Sequence, residues 1–226
     1  MAASALQRRL AAVLAADVVG FARLMEREED GTLARLKAHR KEFVEPLVAR
    51  HHGRTVNLMG DGALCEFASV VDAVRCAVLI QEGMAERERT VQEAERIRFH
   101  IGINVGDVVH EEDGDPYGDG VNVAAHLERL ADPGGVVVSG TAHDHLQGKL
   151  DVPLEFTGEQ RVKNVERPVR AYRVLLADTK PRRRPGIRRA PLAAAVLVAL
   201  ALMAGGCGCG REHPSSRSLP SPCCRS

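Results

Sequence analysis

The chain has 226 residues, 31 Lys and Arg against 30 Asp and Glu, and a formal net charge of +1, so no whole-molecule field draws it to nucleic acid. Its length suits one good-sized domain with an appendage. With no tryptophan and 3% aromatic residues, any core must be built from Val, Leu, Ile and Ala.

In chain order, Arg8 and Arg9 precede an apolar run that is cut by Asp17 and lacks a small-residue cleavage site, so no secretory signal peptide is expected. Leu10 to Ala16 reads as a buried strand, and Val18 to Phe21 leads into a helix. Leu24, Leu33, Leu36, Phe43 and Leu47 recur at helical spacing to about Arg50. Glu29-Asp30-Gly31 is expected to divide that stretch into two helices, and Pro46 to bend the second. The stretch RTVNLMGDGALCEF, Arg54 to Phe67, is two short apolar runs joined by Gly60-Asp61-Gly62. It predicts a hairpin with strands near 54–59 and 63–67, because glycine accepts the positive φ of a tight turn.

Val70 to Arg87 predicts an amphipathic helix with Val71, Val74, Ala77, Val78 and Met84 on one face. Residues 88–96 are charged and read as a solvated loop or fraying helix end. Arg98 to His110 alternates as a half-buried strand, Phe99, Ile101, Ile103 and Val105 against Arg98, His100, Gly102 and Asn104. The acidic run EEDGDPYGDG, 111–120, is a loop, followed by a helix from Val121 to Leu130 that Asp132-Pro133-Gly134-Gly135 ends. A strand at Val136 to Ser139, a short helix at 140–149 and strands near 154–163 and 169–176 complete the domain. The order predicts an α+β fold with a ferredoxin-like βαββαβ core and additional strands and helices.

Beyond 178 the composition changes. Residues 179–189 are a basic linker with Lys180, Arg182, Arg183, Arg184, Arg188 and Arg189. Residues 190–206 carry no charge, a short stretch against the roughly 20 residues a spanning helix needs. The expectation is a C-terminal hydrophobic transmembrane helix, with a helix buried in a soluble core as the alternative. The basic flank places 1–178 in the cytoplasm. The tail, 207–226, is rich in Cys, Ser and Pro and expected to be disordered. Its C-x-C and C-C spacings do not match a zinc site, whereas Cys65 and Cys76 sit in apolar patterns as buried thiols.

An isolated Gly-Asp-Gly is most often a turn and nothing more. Here a second isolated acid, Asp17, also follows an apolar run, VLAADVVGF. Two carboxylates at strand ends, each among apolar residues, suggest a shared site for a hard divalent ion such as magnesium.

Five stretches in order, LAADVVGFARLM, HHGRTVNLMGDGALCEFASVVDAV, IGINVGDVV, DPYGDGVNVAAHLE and GEQRVKNVERPVRAYRV, resemble the class III adenylate/guanylate cyclase catalytic domain from about Ala11 to Val174. The match is nearest to bacterial members with an N-terminal cyclase domain before a membrane helix, which implies single-pass residence in the inner membrane. The resemblance implies that Asp17 and Asp61, with the Val18 carbonyl, hold two Mg2+ or Mn2+ ions. It implies that the ribose 3′-OH of ATP attacks the α-phosphate and expels pyrophosphate. The amides of Gly20 and Phe21 would face the polyphosphate, Lys163 the terminal phosphates, Asp115 the adenine amine and Asn122 the ribose. Lys163 and Asp115 have plain alternatives as a solvated strand lysine and a loop acid. A homodimer is also implied, each site taking its aspartates from one subunit and its asparagine and arginine from the other.

Two positions depart from that pattern. Asn57 stands where the family has an adenine-reading lysine, and His126 where it has an arginine that stabilises the transition state. Asn57 can still donate through its amide. His126 is shorter than arginine and lacks the fork of donors, and Arg129 lies near the same helix face. The expected function is an adenylate cyclase. The alternative is a weakened or inactive module kept for nucleotide binding or dimerisation.

Overall fold

The computed structural model describes residues 7–110, 117–163 and 165–176, all within one compact unit, Met1–Lys180. Asp115, the basic linker, the apolar run 190–206 and the tail lie outside the described residues. The chain runs β1 (Gln7–Val18), α1 (Phe21–Arg27), α2 (Glu29–His39), a π-helical turn (Arg40–Val44), α3 (Glu45–Arg50), β2 (Gly53–Met59), β3 (Gly62–Phe67) and α4 (Val70–Arg87). It continues through β4 (Phe99–His110), α5 (Asp119–Glu128), β5 (Val136–Ser139), α6 (Gly140–Leu146), β6 (Leu154–Gln160) and β7 (Val169–Val174).

The strands make a single seven-stranded sheet in the order β2-β3-β1-β4-β5-β7-β6. The first four pair antiparallel as β2-β3-β1-β4, which is the ferredoxin-like βαββαβ core. β5 then joins β4 in parallel, and β7 and β6 extend the sheet antiparallel. β1 is central because it is aliphatic on both faces, as a strand covered on both sides must be. Ala12, Leu14 and Val18 face the cluster that contains Val74, Ala77 and Ile80 of α4. Ala11, Val13 and Ala15 face the other way, with Leu64, Val108 and Ala124 of α5. This alternation is the period of two of a β-strand.

The two covering helices are seated differently. α4 is capped by the Ser69 hydroxyl, which accepts from the Asp72 N–H at 3.4 Å. Its Gln81 amide, 4% exposed, donates to the carbonyls of Phe99 and Gly135 at 3.0 and 2.8 Å and so ties the helix to the sheet by a satisfied buried group. α5 instead lies directly on backbone. A Cβ at Gly102 would sit 2.2 Å from the Ala124 carbonyl oxygen, and one at Gly106 2.9 Å from the Gly120 Cα. Only glycine allows that approach.

Several local expectations are corrected. The first helical stretch breaks at Glu28, not at Gly31. The Glu28 carboxylate accepts from the Gly31 N–H at 2.7 Å and caps α2, whose first turn carries Glu29 and Asp30 where the helix dipole favours acids. Pro46 follows just after the π-helical turn, inside a helix whose backbone stays helical from α2 through α3. The segment after α4 is not all solvated. Glu88 is 2% exposed and accepts from Arg35, His39 and the Ile97 N–H at 3.0, 2.7 and 3.0 Å. Burial alone would raise its pKa, but those bonds outweigh it and hold it below the usual carboxylate range. β6 ends at Gln160, so Lys163 is exposed in the turn that the Val165 N–H closes onto the Val162 carbonyl, not on a strand. Cys65 and Cys76 are free, buried thiols, as their apolar surroundings suggest, and burial pushes them up to about 11 and about 12.

Candidate active site

The register of β1 and β3 decides where the two aspartates fall. Ala16 stands opposite Ala63, so one further step along β1 sets Asp17 beside the Gly60-Asp61-Gly62 turn. This sets the two carboxylates near one another, close enough for Asp61 to act on the ionisation of Asp17. Burial of Asp17 and then the proximity of Asp61 raise the Asp17 pKa, while the Val18 N–H and His100 oppose the shift. Two carboxylates held near one another repel when ionised, and a bound cation relieves that repulsion. Val18, the last residue of β1, is 3% exposed beside the pair. Among the described residues no group of three or more His, Cys, Asp or Glu could hold a metal ion. A bound ion would therefore take its remaining oxygen ligands from backbone, water or substrate.

Three further side chains meet this pair. His100 of β4 lies directly across from Asp17, and its Nδ1 is 2.8 Å from the Ala131 carbonyl. A carbonyl only accepts, so Nδ1 carries the hydrogen. Glu128, at the end of α5, has its pKa pushed up to about 7 by burial, then by Asp17 and, beyond the opposing Arg129, Asp61. Arg40, from the π-helical turn, donates through Nη1 to the Gly60 carbonyl at 2.9 Å and through Nη2 to the Gly62 carbonyl at 3.2 Å. Burial draws its pKa down, and Asp61, Asp17 and Glu45 push it back. Sequence reading missed all three. His100 reads as the outward residue of an alternating strand, and only its pairing with Asp17 separates it from the rest.

Gly20 adopts φ +62° between β1 and α1, and its carbonyl accepts from the N–H groups of Arg23 and Leu24. A Cβ there would meet nothing nearer than Arg23 at 3.7 Å, so the left-handed backbone and not space calls for glycine. Phe21 opens α1. Asn57 lies next to a break in the β2–β3 register between Thr55 and Asn57, a bulge of the kind that re-aims a side chain. Asn122 and His126 lie off the buried stripe of α5, which is Val123, Ala124 and Leu127. Asn122 is exposed near the Gly120 end, over Gly106, whereas Asp17 is level with His100. At about 3.3 Å per strand residue that separates Asn122 from Asp17 by roughly 15–20 Å within one chain. A cleft of about 390 Å³ lined by Gln81, Met84, Glu88, Arg98 and Leu176 does not include either aspartate.

Glu128 gives a testable pH effect. Its folded pKa lies above the ordinary 4.5, so the folded state holds a proton that the unfolded state releases. That contribution to stability is full below pH 4.5 and is lost as pH rises through about 7. Glu128→Gln should therefore raise the metal-free melting temperature at pH 8 and leave it unchanged at pH 4.5. Equal shifts at both pH values, followed by circular dichroism, would exclude a charge origin.

Comparison with known proteins shows the family. The family model for the adenylate and guanylate cyclase catalytic domain matches residues 6–175. A protein named putative adenylate cyclase 3 from Rhizobium meliloti (strain 1021) is 49% identical over 172 residues, 76% of this chain and 29% of its own length. A Streptomyces coelicolor protein named adenylate cyclase is 35% identical over 146 residues, 65% of this chain and 36% of its own length. The crystal structure of an adenylate/guanylate cyclase/hydrolase from Silicibacter pomeroyi superposes with a TM-score of 0.71 at 44% identity, covering 76% of this chain and 99% of that one. An adenylyl cyclase from P. aeruginosa shares the fold, with a TM-score of 0.67 at 22% identity over 78% of this chain and 98% of that one. The chain belongs to the class III adenylate and guanylate cyclase family. Cyclase catalytic domains act on a nucleotide with divalent metal ions and typically work as dimers. The chain spans 29% and 36% of the length of these two curated relatives.

Proposed function

We propose that this domain is an adenylate cyclase that converts ATP to 3′,5′-cyclic AMP and pyrophosphate. The observation that carries the proposal is the Asp17–Asp61 pair, set near one another by the β1–β3 register and close enough to interact. In the reaction the ribose 3′-oxygen forms a bond to the α-phosphorus, the bond to the bridging oxygen breaks, pyrophosphate leaves, and the hydroxyl proton passes to solvent. A pair of Mg2+ or Mn2+ ions bound by the aspartates would lower the pKa of that hydroxyl and neutralise charge on the phosphate. The protein's own groups bind and orient. Lys163, exposed beyond β6, offers a cation to the terminal phosphates, and the Gly20 and Phe21 amides offer donors at the start of α1. Asn57 reads the base by its amide, while Asn122 and His126 serve the ribose and α-phosphate from α5 of a second subunit. The names of the relatives support adenine over guanine.

The test is direct. The purified protein is incubated with Mn2+ and either ATP or GTP, and the cyclic products are separated. Cyclic AMP from ATP, in excess over cyclic GMP from GTP, is expected. Preference for GTP overturns the substrate assignment, and no cyclic product from either overturns the activity. We further propose that residues 190–206 anchor the chain with the domain on the cytoplasmic side. Among the described residues no helix is long and apolar enough to cross a membrane. Recovery of the full-length protein in the soluble fraction without detergent would remove the anchor.

A further inference from the structure

We propose that Arg40 is a positioning residue for the metal-binding pair: its guanidinium fork clamps the two carbonyls that flank Asp61 and so fixes where that carboxylate points. The inference rests on the reading of Asp17 and Asp61 as the metal site.

The turn that carries Asp61 is intrinsically loose. It joins Met59 to Gly62 through Gly60, which adopts φ +57° and has nothing within 4 Å of where a side chain would begin. Glycine on each side of one carboxylate gives that residue the largest backbone freedom the chain can offer. Against this, Arg40 spans the turn. Nη1 donates to the Gly60 carbonyl at 2.9 Å and Nη2 to the Gly62 carbonyl at 3.2 Å. A planar fork satisfied by two oxygens, one before and one after a single residue, ties the peptide plane that enters Asp61 to the one that leaves Gly62; a lysine ammonium has no such geometry.

The root of the side chain is also unusual. Arg40 begins the π-helical turn, whose wide hydrogen bond runs from the Glu45 N–H to the Arg40 carbonyl. Single π-turns inside helices occur frequently at functional sites. The same turn carries Phe43, which packs on the core and lies against Gly83 of α4, where a Cβ would come within 2.1 Å of the ring. The clamp is thereby mounted on packed structure and not on a mobile loop. Its charge faces Asp61, Asp17 and Glu45.

Clamp and charge predict opposite outcomes at the metal. A nearby cation competes with a divalent ion, so if charge alone mattered, its removal would tighten binding. If Arg40 holds the turn, its removal loosens binding. The experiment titrates Mn2+ alone into wild type, Arg40→Gln and Arg40→Lys and follows the paramagnetic resonance of the free ion. Asp61→Ala serves as the site control. Both Arg40 variants should bind Mn2+ about 10-fold more weakly, the range expected when the support of a metal ligand is lost. In the cyclase assay the Mn2+ concentration for half-maximal rate should rise by about the same factor, with kcat at saturating Mn2+ close to wild type.

Unchanged or tighter Mn2+ binding in Arg40→Gln, or wild-type binding in Arg40→Lys, overturns the clamp. A lower melting temperature with an unmoved Mn2+ midpoint overturns it too, by showing a purely structural role. Should Arg40→Gln fail to fold, Arg40→Lys decides alone, since it retains the stem and the charge but not the fork. If wild type shows no Asp61-dependent Mn2+ binding, the metal site itself is wrong and the inference falls with it. If wild type binds Mn2+ but makes no cyclic nucleotide, only the proposed activity fails.

Discussion

Asp61→Ala should abolish cyclic AMP formation, lowering the rate by about 10³-fold or more, beyond the 10²–10³-fold that loss of one transition-state donor costs. The same variant should be no less stable than wild type without metal. The reason is the proximity described above: Asp61 lies close enough to Asp17 to oppose its ionisation. Removing one carboxylate relieves the other. Because the Asp17 pKa is raised above the ordinary 3.8, the wild-type fold holds a proton that the unfolded chain releases, and it loses stability as pH rises through and above that value. The stability gain of Asp61→Ala should therefore be absent in acid and present at neutral pH. Thermal melts in chelator at two pH values, beside an endpoint assay, test both halves. A variant that retains activity removes Asp61 from the site. A variant that is inactive but strongly destabilised at every pH shows a structural role instead.

His126→Arg should raise kcat by roughly 10²-fold with little change in KM. Charge on the α-phosphate grows as the reaction proceeds, so a donor fork there acts chiefly on the transition state. Initial rates at varied ATP separate the two constants. A gain confined to KM would mean that residue 126 touches the substrate but not the reacting centre. Measurable activity before the change marks a slow but genuine cyclase. A chain silent before and after it, yet able to bind Mn2+ through Asp61, is the weakened module instead.

Much of this site was legible from local pattern. VLAADV marks a strand buried on both faces that ends in an acid, and the glycines around Asp61 mark a hairpin tip. What sequence does not display is register. His100, Glu128 and Arg40 reach the aspartates through pairings between β1 and β4, the seat of α5 on β4, and a helix that turns back over the hairpin. The π-turn has no composition of its own, since a wider hydrogen-bond ring uses ordinary helix formers. Glu88 was misread for a related reason. A charged residue in a charged run looks solvated until its partners, Arg35 and His39 from α2, are seen to enclose it. Lys163 reads as a strand residue because it lies between Val162 and Val165, and the connection's proline, Pro168, comes only just before β7.

The glycines beneath α5 bear on how this domain could adapt. With Gly102, Gly106 and Gly120 in contact backbone to backbone, no side chain cushions the helix along that line. Side chains can rotate to absorb a change of size, whereas main chain against main chain cannot yield without breaking the ladder beneath it. α5 is in that sense a mount with no travel. A shorter residue at its end cannot be compensated by sliding the helix forward, so the shortfall of histidine at 126 has to be made up by another side chain's length. Insertions that lengthen the loop before α5 leave that limit untouched, and a larger residue at Gly102 or Gly106 would move every group the helix carries at once.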